Sequence, residues 1–511
     1  MPKPISKRPR SRAALLCRDT GAALAAALLP LVAAAAEPLP DKNPPPNVVF
    51  ILADQWRGSA LGFMGREPVL TPCLDKLSRE ALVLTRCVSS YPVCSPYRGM
   101  LMTGQFPHSN RVLANCNTDG AKYGYELPAT ARCWSDVLKD KGYSLGYIGK
   151  WHLDSPHEPY VDTGNNSATF AWNEWTTPAR RHGFGFWYAY GTFDEHLHPE
   201  YWTTDAPREQ RTKVNQWGPE HEADLAIQYL RNEGGTYRSG QKPFALVLSM
   251  NPPHTPYDQV PQKYVERYAG KSEADLLSTV NMNLTYGVTG RKLALKQIRN
   301  YFACITGVDE QIGRVLAALR DTGLEQNTLV IFTSDHGDCL GAHDELTKNV
   351  HWDESLLVPF LARWPGHIQP RRDDLLLTPP DIYPTLLDLM GLGADIPGSV
   401  QGTSYASIFR DGTGQRPSSA WYMFVPNGQP GLGRRGVRTQ THTLVYFRDG
   451  KAPERCEFYD NVADPYQARN IASAQAALVE QLTRDELLPW LRKMNDPWLD
   501  GRSPAANDEG R

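Results

Sequence analysis

The segment Val48-Val49-Phe50-Ile51-Leu52-Ala53 is apolar at every position. A strand with one wet face would alternate. An unbroken run therefore predicts a strand buried on both faces, as in a parallel sheet covered by helices. Similar runs recur at 144–148, 244–250 and 329–333, and helical periodicity falls between them over 74–83, 134–139, 220–231 and 293–319. Strands alternating with helices predict an α/β fold with a large, mainly parallel central sheet flanked by helices. Each run ends in residues able to do chemistry: Asp54-Gln55, Lys150-Trp151-His152, Asn251-Pro252-Pro253-His254 and Ser334-Asp335-His336-Gly337. Ligand sites of such sheets form at the carboxyl ends of strands, so four ends of this kind point to one shared site.

Past Gly391 the pattern changes. Short strand-like segments at 420–424, 436–439, 444–448 and 457–460, then a closing helix over 473–494, predict a smaller C-terminal α+β subdomain with an antiparallel sheet. The expected division is 47–400 for the catalytic region and 401–511 for the subdomain. Residues 165–217 are rich in Trp, Tyr, His and Gly with weak periodicity, and read as a long insertion near the site. At the start, Lys3, Lys7, Arg8, Arg10 and Arg12 precede an Ala- and Leu-rich run that ends in Ala34-Ala35-Ala36. That layout predicts a signal peptide over 1–36 and a periplasmic or secreted protein, with 37–46 as a Pro-rich linker. No other stretch is apolar and long enough to span a bilayer. Lys and Arg number 54 against 56 Asp and Glu, a formal net charge of −2, so there is no basic excess for nucleic acid or a membrane surface. Nine scattered cysteines argue against a dense disulfide framework and leave room for one or two bridges.

The most specific motif is Cys94-Ser95-Pro96-Tyr97-Arg98. Ser95 fits a helix N-cap and Pro96 the first helical position, which predicts a helix through Met102. Cys94 would lie just outside that helix, where unpaired N–H groups favour negative charge, and Arg98 would reach back to the same point. A structural thiol and a thiolate nucleophile of the Cys–His type both fit these five residues.

With Gly99-Met100-Leu101-Met102-Thr103-Gly104 added, the motif resembles the sulfatase signature, Cys-x-Pro-x-Arg with a Leu-x-Thr-Gly tail. The segment Gly142-Tyr143-Ser144-Leu145-Gly146-Tyr147-Ile148-Gly149-Lys150-Trp151-His152 resembles the second sulfatase signature. The resemblance runs from Asn47 to about Gly391, through Arg363-Trp364-Pro365-Gly366 and Asp381-Ile382-Tyr383-Pro384-Thr385-Leu386, and continues weakly to Tyr459-Asp460 and Asp464-Pro465. It implies an alkaline-phosphatase-like fold and a sulfuric ester hydrolase. It implies that a separate formylglycine-generating or anaerobic sulfatase-maturating enzyme oxidises Cys94 to formylglycine (3-oxoalanine). The aldehyde would hydrate; one hydroxyl would attack sulfur, and the other would expel sulfate by re-forming the aldehyde.

The same resemblance places one divalent metal, usually Ca²⁺, on Asp54, Gln55, Asp335, His336 and the modified Cys94. Hard oxygen ligands suit Ca²⁺ or Mg²⁺. Many members have Asp at position 55 and Asn at position 336, so Gln55 removes a charge and His336 offers a nitrogen, which admits Mn²⁺ or Zn²⁺. Lys150 and Lys348 would bind sulfate oxygens, His152 would hydrogen-bond the diol, and Arg98 would hold residue 94. His254, or Lys348 beside it, would protonate the leaving alcohol. Export and the aromatic insertion favour a sulfated saccharide as substrate. The alternative on the same scaffold is a phosphodiesterase or phosphonate monoester hydrolase. A non-catalytic binding protein with an unmodified thiol is opposed by the intact Lys150, His152, His254, Asp335 and Lys348.

Overall fold

The computed structural model describes residues 44–240, 242–277, 288–450 and 455–500. The expected signal peptide and all but the end of the Pro-rich linker lie outside the described residues. The main sheet is built from β1 Asn47–Ala53, β2 Leu82–Val88, β3 Ser144–Lys150, β4 Phe186–Tyr190, β5 Glu200–Thr203, β6 Thr212–Lys213, β7 Phe244–Met250, β8 Thr328–Ser334, β9 Leu357–Arg363 and β10 Arg371–Asp373. Their order is β10-β2-β9-β8-β1-β7-β3-β4-β5-β6. The heart of the sheet, β8-β1-β7-β3-β4, is parallel throughout. Both flanks turn antiparallel, at β8–β9, β9–β2 and β4–β5. The sheet is therefore mixed, with a parallel centre.

All seven positions of β1 are buried. Val49, Ile51 and Ala53 enter one apolar core, while Val48, Phe50 and Leu52 enter the other. A large apolar side chain buried this way contributes about 1.5–3 kcal/mol. The helices Gly218–Arg231 and Val288–Asp321 supply one core, and Cys94–Thr103, Trp134–Asp140 and Pro379–Leu389 supply the other.

One expectation shifts. The periodicity over 74–83 is not one helix: the helix is Pro72–Leu77, and Leu82 and Val83 already belong to β2. The insertion, weakly periodic in sequence, carries β4, β5 and β6. Its segment Phe186-Trp187-Tyr188-Ala189-Tyr190 sends Trp187 and Ala189 to one core and Tyr188 and Tyr190 to the other.

The smaller sheet, β11 Ser419–Phe424, β12 Gly433–Thr439, β13 His442–Arg448 and β14 Arg455–Asp460, is antiparallel in sequence order. The closing helical stretch runs in three pieces, Ala476–Leu482, a π turn at Thr483–Leu487, and Leu488–Met494. Trp421, Met423 and Val437 of this sheet share a core with Tyr91, Val93, Met100 and Phe106, which flank or belong to the Cys94 helix. The eight described cysteines are all unpaired. No helix among the described residues is long and apolar enough to cross a membrane.

Candidate functional site

The four strand ends singled out in the sequence belong to the neighbours β8, β1, β7 and β3, so their trailing residues meet along one edge. Cys94 is brought over that edge by its helix. Its Sγ lies 3.3 Å from His336 Nε2, 3.6 Å from Asp54 Oδ1, 3.4 Å from Lys348 Nζ and 3.8 Å from Lys150 Nζ. Cys94 itself is the first helical residue, with Val93 as N-cap, so the expected Ser95 cap is not formed. The Ser95 hydroxyl is engaged elsewhere, accepting from the Cys116 backbone N–H at 3.0 Å. Pro96 remains in the first turn, where a missing N–H costs no intrahelical bond.

Arg98 is buried and fully engaged. It donates to Asp335 Oδ2 at 3.3 Å, Asp54 Oδ2 at 3.1 Å, the Lys150 carbonyl at 2.7 Å and Ser249 Oγ at 2.8 Å. Lys150 Nζ pairs with Asp54 Oδ2 at 2.7 Å and donates to Asn251 Oδ1 at 3.0 Å. These contacts occupy the outer oxygens of the two carboxylates. Asp54 Oδ1 is left 3.3 Å from His336 Nε2, and Asp335 Oδ1 3.6 Å from it.

Gln55 has φ 67° and donates its backbone N–H to Asp335 Oδ1 at 3.2 Å. Its amide nitrogen donates to Tyr257 OH at 2.9 Å and Asp338 Oδ2 at 3.0 Å. Its amide oxygen therefore faces Lys348, accepting from Nζ at 2.9 Å. Lys348 Nζ also lies 2.8 Å from His254 Nε2. His254 Nδ1 donates to the Thr255 carbonyl at 2.8 Å, with Asp194 Oδ1 3.6 Å away. His152 is buried with φ 53°, and neither ring nitrogen has a formed hydrogen bond.

Electrostatics follow from this packing. Burial and Asp54 push the Cys94 thiol up, but Lys150, Lys348 and His336 outweigh them and hold it well below the usual thiol value. Burial alone would raise Asp54, yet Lys150, His254, His336 and Lys348 keep it well below the carboxylate range. Burial and the charge of Asp54 push Asp335 up to about 7. Burial opposes the His336 imidazolium, but Asp335 and Cys94 together outweigh it, so His336 is raised. Burial holds His152 low. The two carboxylates of the pocket floor are thus surrounded by Arg98, Lys150 and Lys348.

Every site residue expected from sequence gathers here: Asp54, Gln55, Cys94, Arg98, Lys150, His152, His254, Asp335, His336 and Lys348. Ser249, Asp194, Tyr257 and Asp338 were not anticipated. Asn251 was noticed at its strand end without a role. Nothing in the local sequence around Tyr257 or Asp338 marks them; only their contact with Gln55 does.

Family profiles match two overlapping stretches of the chain, Sulfatase over residues 46–392 and N-sulphoglucosamine sulphohydrolase, C-terminal, over 341–491. The chain belongs to the sulfatase family. The sulfatase is 39% identical over 490 residues to an endo-4-O-sulfatase of Bacteroides thetaiotaomicron, covering 89% of this chain and 93% of that protein. It is 34% identical to an ulvan-active sulfatase of Formosa agariphila, over 84% of this chain and 78% of that protein. The solved structure of a candidate sulfatase from Bacteroides fragilis matches with a TM-score of 0.86 at 47% identity, covering 91% of this chain and 99% of that one. A phosphonate monoester hydrolase of Agrobacterium radiobacter, 24% identical with a TM-score of 0.63, covers 88% of this chain and 95% of its own and shares the fold.

The family implies a metal and a modified cysteine, and the site fits a divalent cation. Single ligand atoms of Asp54, Cys94, Asp335 and His336 all lie within 4.8 Å of one another, and all four residues are buried. Two carboxylate oxygens, an imidazole nitrogen and residue 94 form a donor set that a cation would neutralise.

Proposed function

We propose that this sulfatase releases inorganic sulfate from a sulfated saccharide, with formylglycine derived from Cys94 as nucleophile and one divalent cation, Ca²⁺ in the first instance. The observation that carries the reading is the convergence of Lys150, Lys348, His336 and two buried carboxylates on a single sulfur at the end of a parallel sheet. The saccharide is supported by similarity to the endo-4-O-sulfatase and the ulvan-active sulfatase. Export is supported by the basic and Ala-rich start of the chain, and maturation by a separate enzyme by the Cys94–Arg98 motif. We retain 47–400 and 401–511 as the catalytic region and subdomain.

Asp54, Gln55, Asp335, His336 and residue 94 would hold the cation, which would polarise the sulfate ester and favour the ionised nucleophile. Once modified, residue 94 would supply a hydrated aldehyde, with one hydroxyl to take the sulfuryl group and a second to expel sulfate. The Cys94 sulfur marks where the nucleophilic oxygen would stand. Lys150 and Lys348, 3.8 and 3.4 Å from it, receive sulfate oxygens and offset charge as the S–O ester bond breaks. Arg98 ties Asp54 to Asp335 and so fixes the floor. His254, or Lys348 whose Nζ lies 2.8 Å from His254 Nε2, donates the proton that the leaving alcohol needs, while the Thr255 carbonyl holds the His254 Nδ1–H. His152, buried beside residue 94, is placed to take a proton from the second hydroxyl.

Two measurements test this reading. Mass spectrometry of the Cys94 peptide should show a species lighter than the cysteine form, and a panel of sulfated saccharides should yield sulfate while matching phosphate esters do not. A folded Cys94→Ala variant that still releases sulfate would overturn it, as would preference for phosphate esters.

A further inference from the structure

The aromatic insertion reaches back to the loop that carries His254. His196, buried, directs Nε2 at the carbonyl oxygens of His254 and Thr255, 3.1 and 3.2 Å away. Burial lowers this imidazole to about 4, so the ring is neutral and its one hydrogen lies on Nε2, between two acceptors. Two residues earlier, Asp194 Oδ1 accepts from the Asn251 amide nitrogen at 3.4 Å and stands 3.6 Å from His254 Nδ1. Asn165 grips Asp194 twice: its amide nitrogen donates to Oδ2 at 3.0 Å, and its amide oxygen accepts the Asp194 backbone N–H at 2.9 Å. Burial alone would raise the Asp194 carboxyl, but His254, Lys150, His196 and the Asn165 bond hold it below its usual value.

This geometry separates the two candidates for the proton that the leaving alcohol needs. An ammonium has three N–H groups. Those of Lys348 meet Gln55 Oε1 at 2.9 Å, the Cys94 sulfur at 3.4 Å and His254 Nε2 at 2.8 Å. None is left over, and an arriving sulfate oxygen would take the one now turned to His254. His254 is held differently. The Thr255 carbonyl fixes its Nδ1–H at 2.8 Å, His196 pins the backbone around it, and Asp194 supplies a negative charge behind the ring. An imidazole that gives up a proton from Nε2 needs that support: a fixed ring, and a partner for the positive charge it carries beforehand.

We propose that Asp194 is a positioning residue for this proton transfer: braced by Asn165, it orients the His254 ring and balances its charge, so that His254 rather than Lys348 protonates the leaving alcohol. The proposal rests on the sulfatase reading above. As the S–O ester bond breaks, its electron pair stays with the alcohol oxygen. That oxygen takes the Nε2 proton, and His254 is left neutral with its Nδ1–H on the Thr255 carbonyl. A poor leaving group depends on this step, whereas a nitrophenolate departs without a proton.

The test uses the full chain, matured at residue 94, with 4-nitrophenyl sulfate, phenyl sulfate and the sulfated saccharide that turns over fastest. The ratio of kcat/KM between esters is read within one preparation, so it is independent of the fraction folded or modified. Asp194→Asn should lower kcat about tenfold or more on phenyl sulfate and the saccharide but no more than about threefold on 4-nitrophenyl sulfate, with KM nearly kept. Asp194→Glu should restore part of the loss, and Asn165→Ala should repeat the contrast more weakly. His254→Gln should show the same contrast, and adding Asp194→Asn to it should change nothing further. Equal losses on all three esters, no loss, or an undiminished effect of Asp194→Asn in the His254→Gln background would overturn the assignment. Preference for the matching aryl phosphates would instead sink the sulfatase reading, and the same contrast on those esters would still uphold Asp194.

Discussion

Gln55 turns on one carboxylate that the reaction never touches. Asp338 accepts from the Gln55 amide nitrogen and from Tyr257 OH, so the amide oxygen can only face Lys348 and the sulfur. Asp338→Ala would strand three buried donors, the Leu340 backbone N–H being the third. Each unsatisfied group costs about 1–3 kcal/mol, so the urea midpoint should fall accordingly, with activity lost alongside. Asn251→Ala removes an acceptor from Lys150. It should lower kcat about tenfold or more although Asp54 still holds the ammonium, and lower the unfolding temperature too, because the buried amide also donates to the Phe193 carbonyl and Asp194. The residues that carry charge at strand ends were legible in the sequence because type and position coincide there. Asp338, Tyr257, Ser249 and Asp194 were not, since a single polar residue in a loop has no pattern until folding places it.

The elements show a similar split. The strands β1, β3, β7 and β8 were legible almost to the residue, because burial on both faces leaves an unbroken apolar run. The strand β2 was hidden because Leu82 and Val83 also continue a helical period. Pro359 interrupts β9, and the aromatic run of β4 alternates in neither class. The Ser95 cap failed for a tertiary reason, its hydroxyl being drawn to Cys116. The close fit of β3 to β7 yields a further expectation. Gly149 has φ 97°, and a Cβ there would stand 2.1 Å from the Ser249 carbonyl oxygen. Gly149→Ala should cost about 2 kcal/mol or more by denaturation and displace Lys150 with it, so that sulfate release falls even where the fold survives.

Across the whole molecule, stability should depend on one carboxyl deep under the sheet. Glu222 on the helix Gly218–Arg231 accepts from Tyr201 OH at 3.0 Å. Burial pushes it from 4.5 up to about 8, only partly relieved by Tyr201 and Tyr190. The folded state holds this proton where the unfolded chain has released it. Its contribution is complete below pH 4.5 and is lost as pH rises to about 8. The slope is at most about 1.4 kcal/mol per pH unit. Glu222→Gln should flatten that decline, measured as unfolding free energy against pH; an unchanged profile would assign the dependence to other groups.

All ten residues of the Cys94 helix are buried, sealed by the two sheets and by Tyr91, Val93 and Phe106. Lys348 and His254 are only half-buried and mark the side from which a small anionic group can reach the site, but another protein's catalytic cleft has no way to grasp the backbone around Cys94 once that helix is packed. The conversion proposed for this cysteine therefore belongs to the minutes of synthesis and export. Chain that folds with its thiol intact should stay inert however long it is later mixed with a maturation enzyme, and should be rescued only by unfolding it first.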